Sequence, residues 1–339
     1  MLPIAVDVMG ADRGPAEIVA GARQAADEHG IPVMLVGQPE VLETLDIGDL
    51  PVLHASEVID MHDDPAAAIR RKRDASVVRA AEAVRDGKAA AMVSAGNTGA
   101  AVASALLRVG RISGVQRPCI ATVLPRPGSP TPPTILVDSG ANAECAAGWL
   151  VQFGQMGAVY AAARFGIEPK VGLVSIGEEA SKGTALIKEA HALLAQPGVF
   201  DGTGGTWIGN VEGRDALTGA VDVMVADGFT GNVLLKTLEG GARVMVDAVL
   251  AALNSTPETK AASEVLVPAL LPLYVEMDPD TYGGAMLLGV DGVCIISHGK
   301  STARAIVNAV RLGADMVETD LVGRLRKVVG RTRGEVQSA

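Results

Sequence analysis

Short apolar runs alternate with amphipathic helical stretches along most of the chain. The runs have the length of strands and lie at residues 4–8, 33–36, 52–55, 89–93, 171–175, 221–226 and 293–297. Helical patterns follow most of these runs and extend, for example, to about His29 and Phe165. Strands that alternate with helices predict a mostly parallel sheet with helices on both faces. The predicted fold class is therefore α/β, with three layers in the order αβα.

Two segments depart from this alternation. Residues 125–133 contain five prolines, which exclude a helix or a central strand and predict an exposed loop, as in an antiparallel hairpin. Residues 265–275 carry no charge and include two prolines, which we expect to break any regular helix. This stretch is shorter than the roughly 20 residues that span a bilayer. It could be core, a dimer contact or a surface tip that enters lipid.

Composition narrows the classes of protein. The chain has 339 residues, of which 48% are hydrophobic and only 3% aromatic, and this suits a globular α/β core of small side chains. A net charge of -10 argues against a general nucleic-acid binder, because phosphate neutralisation needs a basic face. Cys119, Cys145 and Cys294 lie far apart in apolar contexts, so neither a CxxC redox pair nor a zinc site is expected. Three buried thiols and a start without an export signal predict a cytoplasmic location.

Polar, glycine-bearing turns follow four of the predicted strands, at residues 94–101, 137–142, 174–179 and 226–232. Glycines let backbone N–H groups converge, and a helix N-terminus adds roughly half a positive charge. One such turn is more often a helix start with a good N-cap, but four of them suggest one anion site. Ligands of parallel sheets lie beyond the carboxyl ends of the strands. We therefore expect one cleft to collect the turns around Asn97, Asn142, Lys182, Asn232 and His298.

The polar residues of these turns suit phosphate chemistry. Phosphate has a second pKa near neutrality, so inorganic phosphate can act as a nucleophile without a strong base. The protein then has to position the phosphate and stabilise an oxyanion, for which Lys182 is the natural charge partner. The bland alternatives are that Lys182 is an exposed lysine in the first turn of a helix and that His298 is a structural histidine.

Other chemistries lack their motifs. Residues 299–301 end like a Walker A motif, but Cys294 occupies the position of its first glycine. The sequence contains no GxSxG elbow of a serine hydrolase, and no HExxH motif or carboxylate ladder that would predict a metal.

One basic cluster lies in the N-terminal half. It comprises Arg70, Arg71, Lys72 and Arg73. The cluster is either a solvated helix face or a docking patch for an acidic partner.

Seven motifs follow one another in order along nearly the whole chain. They lie at residues 5–12, 94–100, 138–142, 176–183, 209–213, 227–236 and 298–301. Together they resemble bacterial phosphate acyltransferases, a family that makes acyl phosphate from acyl-[acyl carrier protein] and inorganic phosphate in phospholipid synthesis. Ala11, where a second glycine is expected after Gly10, and Ser139, where the family often has valine, are small departures.

The resemblance implies a fold similar to that of phosphate acetyltransferases and of isocitrate and isopropylmalate dehydrogenases. It implies a homodimer and no cofactor. Two further partners that we consider are a membrane surface, through the apolar stretch at residues 265–275, and a downstream glycerol-3-phosphate acyltransferase. Residues 1–330 are expected to form one domain, from which a helical segment at about 250–278 projects. Residues 331–339 are expected to be a frayed tail.

The candidate site residues fall into four groups. The catalytic candidates are Lys182, Asn232 and His298. The substrate-binding candidates are Asp7, Gly10, Ser94, Asn97, Thr98, Asp138, Asn142, Gly177, Glu178, Asp227 and Ser301. Candidates for docking the carrier protein are Arg70, Arg71, Lys72 and Arg73, and those for membrane contact are Leu266, Leu270, Leu271 and Leu273.

Two alternative functions share this fold. A short-chain acyl-CoA phosphate acyltransferase would use the same phosphate site and would act on acetyl-CoA. A decarboxylating dehydrogenase would need a metal-binding aspartate cluster that the sequence does not supply. A non-catalytic scaffold is the weakest alternative.

Overall fold

A computed structural model describes residues 1–329 of the chain. Their strands are β1 (Ile4–Asp7), β2 (Val33–Gly37), β3 (Val52–His54), β4 (Ala91–Ser94), β5 (Cys119–Leu124), β6 (Thr134–Val137), β7 (Lys170–Val174), β8 (Thr206–Val211), β9 (Val223–Val225), β10 (Ala285–Leu288) and β11 (Val293–Ile296). Their α-helices are α1 (Pro15–His29), α2 (Pro39–Leu42), α3 (Pro65–Arg71), α4 (Ser76–Arg85), α5 (Thr98–Ser104), α6 (Ala147–Phe165), α7 (Ala185–Leu194), α8 (Gly228–Leu253), α9 (Pro257–Met277), α10 (Ala303–Glu318) and α11 (Leu321–Val329). The tail predicted at 331–339 lies outside the described residues.

These strands form a single sheet in the order β3-β2-β1-β4-β11-β10-β5-β6-β9-β7-β8. The first five strands of this order run parallel to one another, and so do the last four. Between the two groups, β10 and β5 pair antiparallel with each other and with their outer neighbours. The two parallel groups therefore run in opposite directions, and their carboxyl ends lie on opposite edges of the sheet.

Alternation along the strands produces a core on each face. Ile4 and Val6 of β1 belong to a core that also contains residues of α1, α6, α7, α10 and α11, whereas Ala5 faces a second core with residues of α3, α4 and α5. In the other half of the sheet, Leu136 packs beneath partly buried leucines of α8. The predicted three-layer arrangement with a mostly parallel sheet is confirmed.

The predicted strands are all present, with bounds that shift by one or two residues. The hairpin around residues 125–133 is confirmed, because β5 and β6 are antiparallel. The sequence pattern missed β8, an edge strand whose Gly209 has a φ of 98° and whose side chains alternate only weakly in polarity. Residues 65–85 form two short helices, α3 and α4, and a further helix, α11, follows α10 near the end of the described chain.

The expected helix break at residues 265–275 is wrong. Pro268 and Pro272 lie inside α9, which is continuous from Pro257 to Met277. A proline removes the hydrogen bond to the carbonyl four residues earlier, here the carbonyls of Glu264 and Pro268. Both residues are exposed, so water can bond the freed carbonyls, and the helix tolerates both prolines.

Helices α8 and α9 pack against each other and leave most of their surface exposed. Beyond the first turns of α8, nearly all of their residues are exposed, and Ser263 is the one buried residue of α9. The exposed apolar side chains of α9 are Val265, Leu266, Val267, Leu270, Leu271, Leu273, Tyr274 and Val275. None of the helices in residues 1–329 is long and apolar enough to cross a membrane. These leucines are not part of the core, so the core alternative for this stretch is wrong.

Candidate active site

The candidate residues divide between the two edges of the sheet. The first cluster follows β1, β4 and β11 and comprises Asp7, Gly10, Ser94, Asn97, Thr98, His298 and Ser301. The second cluster follows β6, β9 and β7 and comprises Asp138, Asn142, Gly177, Glu178, Lys182, Asp227 and Asn232. No hydrogen bond or ion pair within residues 1–329 joins the two clusters. The premise that all these turns share one edge is wrong, because β10 and β5 reverse the direction of the sheet.

A buried carboxylate organises the first cluster. Asp7 is 2% exposed, and Ser94 Oγ donates to its Oδ2 at 2.7 Å while the backbone N–H of Met9 donates to Oδ1 at 3.2 Å. Ser94 Oγ in turn accepts from the backbone N–H of Gly96 at 3.3 Å. Burial raises the pKa of Asp7 to about 6, and hydrogen bonds from Ser76 and Ser94 limit this rise. Asp7 and Ser94 therefore fix the turn after β4 rather than face solvent.

Asn97 holds two segments together at the start of α5. Its Oδ1 accepts from the backbone N–H of Ala100 at 3.0 Å, which is an N-cap bond. Its Nδ2 donates to the carbonyl of Met61 at 3.1 Å and thereby fixes the loop that leads into α3. Thr98 next to it is exposed. The bland alternative of a capped helix start thus describes Asn97.

Close backbone packing completes the first cluster. Gly10 has a φ of 82°, and a Cβ there would lie 3.0 Å from the carbonyl oxygen of Ile59. The backbone N–H of Asp12 donates to the carbonyl of Gly299 at 2.9 Å, which joins the turns after β1 and β11. Ser301 is buried, whereas His298 is exposed and its ring has no hydrogen bond within the described residues. His298, like the exposed Thr98, therefore has a side chain that is accessible to a ligand.

The nest of backbone N–H groups after β6 is filled by the protein itself. Oδ1 of Asp138 accepts from the backbone N–H groups of Ile120, Gly140 and Ala141 at 2.9 to 3.2 Å. Its Oδ2 accepts from the backbone and the side chain of Asn142 at 2.8 and 2.9 Å. Asn142 also donates to the carbonyl of Pro118 at 2.8 Å. Asp138 occupies the place predicted for phosphate, so Asp138 and Asn142 shape the turn instead of binding a ligand there.

The start of α8 packs tightly against this turn. Asp227 caps the helix by accepting from the backbone N–H and the hydroxyl of Thr230, each at 2.8 Å. A Cβ on Gly231 would lie 1.9 Å from the carbonyl oxygen of Asp138. The same contact brings the side chain of Asn232 next to Gly140, where it is exposed and has no hydrogen bond within residues 1–329.

Lys182 lies in the loop between β7 and α7, three residues before the helix begins, so the alternative of a helix first turn is wrong. It is exposed, and its ammonium has no hydrogen bond or ion pair in the described part of the chain. A Cβ on the buried Gly177 would lie 3.0 Å from Lys182 Cγ, which explains the glycine. Glu178 is exposed and lies 3.9 Å from Arg214. Lys182 and Asn232 therefore present a free cation and a free amide at the ends of β7 and β9, two neighbouring strands.

The thiol at this edge is not a candidate nucleophile. Cys145 lies near Asn142, and burial raises the pKa of its thiol to about 11, so it is not a thiolate nucleophile. No group of three His, Cys, Asp or Glu residues within residues 1–329 could hold a metal ion. Lys182 and Asn232 are groups that can bind an anion and stabilise developing negative charge.

The basic cluster lies beside the first edge. Arg70 and Arg71 end α3, which contacts the start of α5, and Arg73 follows; all three are exposed. Lys72 Nζ instead donates to Asp63 Oδ2 at 2.6 Å and to the carbonyl of Val58 at 2.7 Å. The hydrogen bond from Lys72 lowers the pKa of Asp63. Lys72 is thus engaged in an ion pair within the fold, whereas the three arginines are exposed.

A model of the fatty acid synthesis protein family matches residues 2–324 of the chain. The chain belongs to this family. Among its relatives in the family, the phosphate acyltransferase of Pelotomaculum thermopropionicum is 44% identical over 334 residues, which cover 97% of this chain and 95% of that protein. The phosphate acyltransferase of Thermobifida fusca is 44% identical over 330 residues, covering 96% and 90%. The resemblance seen in the seven motifs is confirmed.

Solved structures of the same fold agree with the family. A phosphotransacetylase from Streptococcus pyogenes matches with a TM-score of 0.62 at 16% identity, covering 94% of each chain. The EutD phosphotransacetylase from Staphylococcus aureus matches with a TM-score of 0.59 at 16% identity, covering 93% of this chain and 94% of that one. The predicted similarity in fold to phosphate acetyltransferases is confirmed, and at this identity the similarity concerns the fold alone.

Two buried residues that serve the clusters were missed as candidates from sequence. Ser76 at the start of α4 bonds the carboxylate of Asp7, and nothing in its local pattern marks it. Asn210 at the end of β8 contacts the loop of Lys182. It stands in one of the seven motifs, which was the available signal, but β8 was not recognised as a strand.

The raised pKa of Asp7 predicts a pH-dependent stability. The folded state favours the protonated acid, so its stabilising effect is present below pH 4 and is lost as pH rises through about 6. The Asp7→Asn variant lacks this loss. Its free energy of unfolding, relative to the unsubstituted protein, should rise by about 3 kcal/mol between pH 4 and 7.

Denaturant unfolding across this pH range measures the difference, with Ser94→Ala as the comparison. Removing the Ser94 hydroxyl takes away a bond that lowers the pKa, so the loss should move to higher pH. A difference between Asp7→Asn and the unsubstituted protein that does not change with pH would contradict the assignment.

Proposed function

We propose that this chain transfers the acyl group of acyl-[acyl carrier protein] to inorganic phosphate and releases acyl phosphate for phospholipid synthesis. The family relationship and the phosphate acyltransferases among its relatives support the proposal. The observation that carries it is the pair Lys182 and Asn232, whose side chains are exposed and unpartnered in the described chain at the ends of adjacent strands. They suit a reaction in which phosphate itself is the nucleophile.

The reaction needs no covalent enzyme intermediate. An oxygen of HPO₄²⁻ attacks the thioester carbonyl, the C–O bond forms, and the C–S bond breaks through a tetrahedral oxyanion. The phosphate proton passes to the departing sulfur, so the products are acyl phosphate and the carrier thiol. Lys182 attracts the phosphate or the oxyanion, and Asn232 donates a hydrogen bond to one of them. His298 remains a predicted contact on the first edge.

The exposed cluster Arg70, Arg71 and Arg73 is the proposed docking patch for the carrier protein. Acyl carrier proteins are acidic as a class, whereas this chain carries a net charge of -10. A local basic patch is therefore needed to steer the two together. The patch lies beside the turn of Asn97 on the first edge. The acyl chain therefore has to extend from the docked carrier to Lys182 and Asn232 on the second edge.

The apolar surface of α8 and α9 is the proposed contact for a second copy of the chain and for the membrane. A large exposed apolar surface marks a site of contact with another protein or with a membrane. A homodimer would double the membrane contact and add avidity. A peripheral position would also place the acyl phosphate near a membrane enzyme such as a glycerol-3-phosphate acyltransferase.

Removing Lys182 or Asn232 should abolish most turnover while the fold survives. Losing one donor to an oxyanion or phosphate typically slows turnover by roughly a hundred- to a thousandfold. Trapping of the acyl phosphate with hydroxylamine measures turnover in Lys182→Ala and Asn232→Ala. Lys188→Ala, an exposed lysine of α7, is the matched control and should behave as the unsubstituted protein.

The same assay separates the alternatives. Trapped product from acetyl-CoA but not from a long-chain acyl carrier substrate would favour the short-chain enzyme. Turnover near normal in one of the two variants would remove that residue from the catalytic set.

Charge reversal of Arg70, Arg71 and Arg73 to Glu should raise the apparent KM for the carrier substrate by about three- to a hundredfold at low salt. The effect should shrink as salt screens the encounter, because the Debye length falls to about 3 Å at 1 M. The triple variant Lys88→Glu/Lys170→Glu/Lys188→Glu, at three other exposed lysines, changes the net charge by the same amount and is the control. An unchanged KM at low salt would return the cluster to a solvated helix face.

The double variant Leu270→Glu/Leu271→Glu should release the protein from liposomes and leave a dimer on sizing. Burying each leucine in lipid is worth about 1.5–3 kcal/mol. Ala261→Glu/Ala262→Glu, in the exposed N-terminal half of the same helix, is the control and should still bind. If the leucine variant is monomeric instead, the stretch is a subunit interface and the membrane proposal fails.

A further inference from the structure

Asn210 has a buried side-chain amide that bonds the loop between β7 and α7, here called the Lys182 loop. It lies at the end of the edge strand β8, is 5% exposed, and donates from Nδ2 to the carbonyl of Glu179 at 2.9 Å. Its Oδ1 lies 2.9 Å from Nδ1 of His191. The Glu179 carbonyl can only accept, which fixes the orientation of the amide. Its Oδ1 then faces His191, so Nδ1 of His191 carries a proton.

The Glu179 carbonyl is the acceptor that joins Asn210 to the backbone of Lys182. It accepts the bond from Asn210 and also one from the backbone N–H of Lys182 at 3.0 Å. The space around Lys182 is narrow on the other side, since a Cβ on Gly177 would lie 3.0 Å from Lys182 Cγ. A shift of this carbonyl would therefore move the backbone from which Lys182 projects.

His191 is itself held in place. It belongs to α7, and its ring meets that of Trp207 edge to face with centroids 5.5 Å apart. Trp207 in turn stacks on Phe200 with a centroid distance of 6.3 Å. Rings have few rotamers and lose little entropy when packed. The packed rings of His191, Trp207 and Phe200 thus fix the position of Asn210. Its bond to the Glu179 carbonyl in turn fixes the loop.

We propose that Asn210, oriented by His191, is a positioning residue that holds the Lys182 loop in its reactive conformation. The inference rests on the proposed role of Lys182 in the transfer to phosphate. Asn210 reaches no exposed part of the site, so it acts through the Glu179 carbonyl alone. Small displacements of a positioned group cost up to about a hundredfold in rate.

The first test is Asn210→Asp, which keeps the size and the acceptor for His191 but loses the donor to Glu179. The value of kcat/KM for phosphate should fall about ten- to a hundredfold. Hydrogen exchange at the amide of Lys182 should accelerate, because its acceptor is no longer held. An unchanged kcat/KM for phosphate, or unchanged exchange at Lys182, would overturn the proposal.

Two variants at His191 test the proposal even if Asn210→Asp does not fold. Both His191→Leu and His191→Asn lose the ring contact with Trp207, but the Asn amide can still donate from about the place of Nδ1. His191→Asn should therefore keep most of the turnover that His191→Leu loses. Equal losses in the two would show that the ring acts only through packing, against the proposal.

A double-variant cycle separates this inference from the proposed function. If Asn210 acts through Lys182, then Asn210→Asp should add nothing to the loss caused by Lys182→Ala. An additive loss would overturn the inference while leaving the role of Lys182 intact. Full turnover in Lys182→Ala alone would instead refute the catalytic role of Lys182, and the hydrogen-exchange result at Lys182 would still report whether Asn210 holds the loop.

Discussion

The antiparallel pairing of β10 with β5 decides how the whole molecule is arranged. One parallel group of strands would place all its polar turns at one edge. Because β10 and β5 reverse the direction, β1, β4 and β11 end at one edge while β6, β9 and β7 end at the other. Each edge then acquires its own buried carboxylate, Asp7 on one side and Asp138 on the other.

The two carboxylates show why polar turn residues are poor evidence for ligand contact. Asp138 satisfies five donors of its own turn and of β5, and Asn97 and Asp227 cap helices. These bonds supply acceptors to backbone N–H groups that would otherwise be buried without a hydrogen bond. Groups without such duties are the ones available to a substrate, and among the predicted site residues on the second edge Lys182 and Asn232 are of this kind.

The local pattern of apolar and polar residues predicted most strands and helices. It failed where contacts between residues far apart in sequence determine the structure. Apolar runs such as residues 4–8 and 221–226 became strands because their period and length are local properties. Strand β8 was missed because only its pairing with β7 makes the stretch around Gly209 a strand. The reversal between the two halves was also invisible, because no residue pattern within a strand records the direction of its neighbour.

The site residues divide in the same way. Lys182, Asn232 and His298 were predicted as catalytic residues, and in the described chain all three are exposed with side chains that make no hydrogen bond. The sequence could not distinguish them from Asp138 or Asn142, since donors and acceptors of one turn look alike until the backbone path is known. Lys72 was likewise inseparable from its basic neighbours until its bond to Asp63 appeared.

The exposure of Lys182 and Asn232 sets a condition on their proposed role in catalysis. Two unit charges 4 Å apart attract with about 1 kcal/mol in water and with about 4 kcal/mol where the effective dielectric constant is near 20. An open cation therefore gains little from phosphate until water is displaced around it. The acyl donor must itself cover these groups, or a second chain must do so, before the oxyanion is stabilised enough for rapid transfer. The two bonds to the Glu179 carbonyl hold the loop of Lys182 in place before the acyl donor binds. Binding then does not have to pay the entropy of ordering a mobile backbone.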